Sequence, residues 1–306
     1  MGIEKLQENI GKIYSGNEGV IEKLIIALLS GGHVLIEDVP GVGKTTVAKT
    51  LAASVEMDFA RVQFTPDTLP TDILGTSVFD AKTESFRVVQ GPIFHQFLLA
   101  DEINRTSPKT QSALLEAMEE HQVTIDGVTY PLPEPFMVMA TQNPIEQMGT
   151  YPLPEAELDR FLMKITLGYP GQAQQTQLAK RFLSGELQKG VGPVMTTEEL
   201  LEMMETVKQV IISDEMVEYV LAVADATRHK KEVSCGVSPR AGLDLLRASQ
   251  ASAFVHGRDY VTPEDVIEMA KVTLPHRMVL TTDARLNHYT GYQVILDVLG
   301  SVKRPK

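Results

Sequence analysis

"IEDVPGVGKTT", Ile36 to Thr46, decides how this chain reads. Its end matches the phosphate-binding pattern Gly-x-x-x-x-Gly-Lys-[Ser/Thr], except that Asp38 stands where the pattern has its first glycine. The chemistry lies after that position. Gly41 and Gly43 let backbone N–H groups turn inward, where a Cβ would crowd an anion. Lys44 brings positive charge to the outer phosphates, and the Thr45 hydroxyl suits a magnesium ion. A helix starting there points its positive end at the same anion. We assign Pro40, Gly41, Val42, Gly43, Lys44, Thr45 and Thr46 to nucleotide binding. Asp38 is expected to brace the loop through nearby backbone N–H groups and to point away from the phosphates, which its charge would repel.

The flanks supply the context that such a loop needs. "HVLIE" before it reads as a short buried strand, and "KTTVAKTLAASV" reads as a helix. Upstream, Val20, Ile21, Leu24, Ile25, Leu28 and Leu29 recur at helical spacing until Gly31-Gly32. Downstream, "FARVQF", "FLLAD", "FMVMAT" and "LMKITL" read as strands, and 108–120 as a helix. "SVFD" and "FRVV" flank a polar "AKTES", and "VTIDGVTY" turns at Asp126-Gly127, so two hairpins are expected. Alternating strands and helices predict an α/β fold with a parallel sheet covered on both faces. The pattern changes near Tyr169-Pro170-Gly171. Helices are then expected over 172–183, 197–212, 214–229, 238–256 and 262–273. We therefore set a core over 1–169 and a helical domain over 170–306.

"FLLADE" adds the second half of the chemistry. An apolar strand delivers Asp101 at its carboxyl end, where open α/β sheets bind ligands. Asp101 would hold magnesium through water, and Glu102 would polarise an attacking water. In "ATQNP", Asn143 follows another buried strand; it could hold that water or the γ-phosphate, or simply form an Asn-Pro turn. "LDRF" and "SPRA" offer Arg160 and Arg240. Either could face a γ-phosphate. Read locally, each could equally pair with a neighbouring acid, Asp159 or Glu157 for Arg160 and Asp244 for Arg240.

Composition narrows the classes. The net charge of -12 and the lack of a Lys/Arg run disfavour nucleic acid as partner. No apolar run approaches the roughly 20 residues that span a bilayer, and the start "MGIEKLQENI" lacks a signal-peptide apolar stretch, so a cytoplasmic location is expected. The single cysteine, Cys235, cannot form an internal disulfide. The seven histidines show no zinc-type spacing.

Together, "EDVPGVGKTT", "LLADEINR", "ATQNPIEQMGTYPLPEAELDRF" and "GVSPRAGLDLLRAS" resemble the AAA+ ATPases of the MoxR family over nearly the whole chain. That resemblance implies a P-loop NTPase core with a helical lid, ATP and Mg²⁺ as ligands, and hydrolysis of ATP. It implies that Asn143 is the sensor 1 residue, Arg160 the arginine finger and Arg240 sensor 2. It further implies a ring, commonly a hexamer, a helix-2 insert at about 74–94 and a pre-sensor hairpin at about 121–135. The family implies chaperone-like work on a protein client, with a partner bearing a von Willebrand factor A-type domain. A magnesium-chelatase-like metal-insertion motor, a DNA-remodelling motor and a non-enzymatic ATP-gated module stand as alternatives.

Overall fold

A computed structural model describes residues 2–14, 18–39, 41–144, 150–184 and 190–305. Helix α1 (Gly2–Gly11) and helix α2 (Glu18–Leu29) precede strand β1 (Val34–Glu37), and α3 (Lys44–Ser54) leaves the loop after it. There follow β2 (Phe59–Gln63), α4 (Pro70–Leu74), the hairpin β3 (Gly75–Asp80) with β4 (Ser85–Gln90), and β5 (Phe97–Asp101). Helix α5 (Pro108–Glu120) leads to the hairpin β6 (Gln122–Ile125) with β7 (Val128–Pro131), then to β8 (Met137–Gln142), α6 (Glu155–Leu158) and β9 (Met163–Ile165).

The main sheet has the order β2-β5-β8-β1-β9. Its β2, β5 and β8 run parallel, with Gln63 opposite Asp101 and Ala100 opposite Ala140. Residues Phe97 to Ala100 and Val138 to Ala140 have no exposed surface. This explains why these strands are apolar throughout and do not alternate: both faces are covered. The Asp126-Gly127 turn has positive φ at both positions, which the two-residue hairpin loop requires and which Asp and Gly tolerate.

The remaining elements are α7 (Gln172–Leu183), α8 (Thr197–Val207), α9 (Asp214–Arg228), β10 (Val233–Cys235), α10 (Pro239–Val255), α11 (Pro263–Thr273), β11 (Val279–Leu280), α12 (Thr282–Leu286) and α13 (Gly291–Ser301). Helix α8 stops well before 212. Ile211 is drawn into extended pairing instead, its N–H donating to Asp259 O and its carbonyl accepting from Val261 N. The starts "SDEM", "SPRA" and "TPED" behave as caps: Ser213, Ser238 and Thr262 are the N-caps of α9, α10 and α11.

The chain divides into two compact units. Unit 1 is Met1–Glu22, Leu35–Leu153 and Thr166–Leu201; unit 2 is Lys23–Val34, Pro154–Ile165 and Glu202–Lys306. Unit 1 is built around the buried strands and α3, with α1 tied to α3 where Asn9 Nδ2 donates to Ser54 Oγ at 3.0 Å. Unit 2 is centred on α9, α10 and α11, whose buried Val220, Val223, Leu245, Ala248, Val266 and Ala270 form its core. No helix among the described residues is long and apolar enough to cross a membrane.

Candidate functional site

The loop after β1 opens unit 1's site. Gly41 and Gly43 have φ of 85° and 94°, left-handed values that a side chain would strain. A Cβ placed on Gly41 would meet no protein atom within 4 Å, so the loop faces open space. Helix α3 begins at Lys44, and no side chain caps its N-cap Gly43. Its first N–H groups are thus left for an anion, and the residues present fit the phosphates of a nucleotide. Val42 is buried and Thr46 exposed, with Thr45 between in burial. Pro40 lies outside the described residues.

Asp38 braces this loop. It is 7% exposed; Oδ1 accepts from Val39 N at 2.9 Å and Oδ2 from Gly168 N at 2.7 Å. Its own N–H donates to Gln142 O at the end of β8. Lys44 Nζ donates to the Asp38 carbonyl at 2.9 Å. Both carboxylate oxygens are therefore occupied by backbone donors, as the sequence led us to expect.

At the end of β5, Asp101 Oδ1 accepts from Thr141 Oγ1 at 2.6 Å, and Oδ2 pairs with Arg61 Nη2 at 2.7 Å. Glu102 follows with φ 59° and ψ 48°, a left-handed conformation unusual for a non-glycine residue. Its N–H donates to Thr141 Oγ1 at 2.9 Å. Its carboxylate accepts from Gln63 Nε2 at 2.8 Å and lies 3.0 Å from Arg105 Nη1. Thr141, fully buried, therefore touches both acids. Asn143 is 6% exposed just beyond β8, and its carbonyl accepts from Asn104 Nδ2 at 3.3 Å. The loop with Lys44, the two acids and Asn143 thus sit at the carboxyl ends of β1, β5 and β8, which neighbour each other in the sheet. Among the described residues no cluster of three or more His, Cys, Asp or Glu could hold a metal unaided.

Arg160 and Arg240 belong to unit 2. Arg240 sits in the first turn of α10, its Nε 4.0 Å from Asp244 Oδ2, the outer limit of an ion pair. Arg277 Nη1 stands closer to the same oxygen, at 2.8 Å. Beside it, burial pushes the His276 imidazole down to about 3, helped by the Arg277 charge. His276 is then neutral, and its Nε2 donates to Phe161 O at 2.8 Å.

Three comparisons bear on this geometry. Residues 33–163 match the model of the ATPase family associated with various cellular activities (AAA), and residues 225–297 match that of the AAA lid domain. The chain is 44% identical to Chaperone MoxR1 of Mycobacterium tuberculosis, over 99% of this chain and 82% of that protein. It is 46% identical to the uncharacterized protein YeaC of Bacillus subtilis, over 98% of this chain and 94% of that one. A crystal structure from Cytophaga hutchinsonii superposes with a TM-score of 0.94 at 40% identity, covering 100% of this chain and 95% of its own. The chain belongs to the MoxR family of AAA+ ATPases. Its α/β core with a parallel central sheet and its AAA lid are those of a P-loop AAA+ protein.

Sequence reasoning missed several residues of this MoxR-family site. Arg61 and Gln63 share one face of β2 and both reach the acids, a signal hidden in ordinary strand alternation. Thr141 was legible only as a lone hydroxyl in an apolar strand. Tyr14, 6% exposed, lies next to the loop: a Cβ on Gly43 would stand 3.6 Å from its ring. In unit 2, the buried His276 and Arg277 beside Phe161 carried no motif at all.

Proposed function

We propose that this chain hydrolyses ATP with Mg²⁺ and works as a chaperone-like remodelling ATPase that helps activate or assemble a protein client. The reading extends to a cytoplasmic homo-oligomeric ring, commonly a hexamer, with a von Willebrand factor A-domain partner. It keeps a core over 1–169 and a lid over 170–306. The supporting observation is the placement of the Lys44 loop, Asp101-Glu102 and Asn143 at neighbouring strand ends.

Each side chain has a task. Lys44 leaves the Asp38 carbonyl to meet the outer phosphates, while the backbone from Gly41 to Thr45 cradles them. Mg²⁺, held by Thr45 and through water by Asp101, would offset phosphate charge when bound. Glu102 accepts a proton from the attacking water after exchanging its bonds to Gln63 and Arg105. Asn143 orients that water or the γ-phosphate. Arg160 is assigned as the finger offered to a neighbouring subunit and Arg240 as sensor 2; a finger arginine is worth roughly 10³–10⁵ in rate.

The β3–β4 hairpin suits client contact. Phe79 and Phe86 are 54% and 73% exposed and stack edge to face with centroids 5.4 Å apart. Large exposed aromatics on one hairpin mark an interaction site.

Kinetics with two variants tests the core of the reading. Lys44→Ala should abolish Mg²⁺-dependent turnover. Glu102→Gln should bind ATP yet hydrolyse it at a small fraction of the parent rate; normal hydrolysis by that variant would remove Glu102 as the base.

A further inference from the structure

Arg277 has a place in unit 2 that core packing does not explain. It closes the turn after α11, and its side chain is 0% exposed. Nη2 donates to Phe161 O at 2.7 Å. Nη1 stands 2.8 Å from Asp244 Oδ2 and 3.5 Å from Asp159 Oδ1. The other oxygen of Asp159 accepts from Ser238 Oγ at 2.9 Å, and Ser238 is the N-cap of α10. His276 joins the same group at Phe161 O.

Two sequence-distant arginines meet this cluster. Arg160 is flanked by Asp159 and Phe161; Arg277 donates to the Phe161 carbonyl and stands within ion-pair distance of Asp159. Arg240 lies two residues after Ser238 and one turn before Asp244, both within the cluster. A buried cation facing two carboxylates is a costly way to fill space, since apolar packing is often as stable or better. What it does supply is fixed placement: one directional hydrogen bond to the Phe161 carbonyl, and a buried charge close to Asp244 and Asp159 that ties both carboxylates to it.

We propose that Arg277 is a positioning residue that locks the segment of Arg160 to the helix of Arg240, so that the two arginines keep one relative placement through the ATP cycle. This rests on the roles assigned to Arg160 and Arg240 above. Its signature is a split between chemistry and binding. Misplacing groups that act on the transition state by about 1 Å can cost roughly 10²-fold in rate, while nucleotide affinity rests on the loop of unit 1.

The test uses the full chain with two variants. Arg277→Lys keeps the charge but loses the Nη2 hydrogen bond to the Phe161 carbonyl. Asp159→Asn keeps the shape but loses the charge. Both are measured for kcat, for Kd of a fluorescent ATP analogue and for thermal melting, beside Arg160→Ala and Arg240→Ala. Expected are cooperative melting, analogue affinity within about threefold of the parent, and kcat lowered about 10–100-fold. Parental kcat in folded Arg277→Lys and Asp159→Asn, with Arg160→Ala and Arg240→Ala impaired, would overturn the locking role and leave the proposed function standing. Parental kcat in Arg160→Ala and Arg240→Ala would remove the assigned roles and the proposal with them. Loss of the cooperative melt in both Arg277→Lys and Asp159→Asn would make the cluster a stabilising one only, and would also overturn it.

Discussion

Replacing Asp38 with glycine restores the standard phosphate-loop pattern, and the structure predicts that the restored protein is worse. The φ at Asp38 is not positive, so glycine's conformational freedom is not required there. What the position uses is a carboxylate at 7% exposure that serves two backbone donors, Val39 N and Gly168 N. Hydrogen bonds to a charged group contribute about 1.5–3 kcal/mol each, and a buried donor left unpaired costs about 1–3 kcal/mol. Glycine adds about 0.5–1 kcal/mol of chain entropy. Allowing for water reaching one donor, Asp38→Gly should cost about 3–5 kcal/mol. For a chain of this size that is a fall of about 5–10 °C in melting temperature. Asp38→Asn should cost about half as much, because its amide oxygen can satisfy one donor while its NH₂ faces the other. Thermal melts by circular dichroism, with and without ATP, read both effects. The loop should also bind nucleotide more weakly in Asp38→Gly, since Lys44 rests on a carbonyl that is no longer anchored. An Asp38→Gly protein that melts within about 1 °C of the parent and binds ATP equally would refute the bracing role.

Other expectations follow from the same contacts. Thr141→Val, nearly isosteric, strips the hydroxyl shared by Asp101 and Glu102 N; stability should fall by about 1–3 kcal/mol and kcat should fall with it, and an unchanged kcat in steady-state assays would end that account. His276 stays neutral when folded but takes a proton when unfolded below about pH 6.5, so its contribution is lost as pH falls toward about 3. The deficit at pH 5 is about 2 kcal/mol, and urea melts of His276→Gln against the parent at pH 5 and pH 8 should show the parent losing more. Asp265 works in the same direction at lower pH. Burial alone would raise its carboxyl, but bonds from Arg258, Thr262 and Ser252 hold it below its usual value. Its support is therefore present above about pH 4 and disappears as pH falls through the lowered value, and Asp265→Asn should flatten the acid limb of the stability curve. Arg160→Ala subunits, inactive alone, should regain turnover when mixed with Lys44→Ala subunits; mixed rings without any rescue would count against a finger acting in trans.

The sequence was legible where one local constraint dominates. Glycines at 41 and 43 need left-handed backbone, an apolar strand needs both faces covered, and a Ser-Pro or Thr-Pro start needs an N-cap; each left a mark within a few residues. Contacts made between distant segments left none. Arg61 reads as a strand residue until the register places β2 beside β5 and its guanidinium meets Asp101. Arg277 follows a proline and a histidine in an unremarkable turn, and only the fold brings it to Asp159 and Asp244. Helix α8 was overestimated for the same reason: nothing local announces that Ile211 will pair with the backbone around Tyr260. The short antiparallel pair of β10 and β11 joins residues some 45 apart in sequence, beyond the reach of any local pattern.

The end of β8 shows why these distant contacts matter for the site. Three consecutive residues there face three different parts of it. Thr141 holds Asp101 and the backbone of Glu102. Gln142 accepts from Asp38 N through its carbonyl and donates to Glu37 through its amide at 2.6 Å, so it grips the start of the phosphate loop. Asn143 accepts from Asn104, just beyond the acids, through its carbonyl. A shift of this strand end cannot therefore move the loop and leave the acids behind. A γ-phosphate felt at Asn143 would reach Asp38 and Glu102 through one and the same backbone. The Thr141–Asp101 and Asn104–Asn143 bonds join buried groups, so breaking either leaves a donor or acceptor without water to replace it. The strand end is thus expected to move as a unit, so that with the roles proposed above for Asn143 and Glu102 a γ-phosphate held at Asn143 would reach Glu102 without a separate relay.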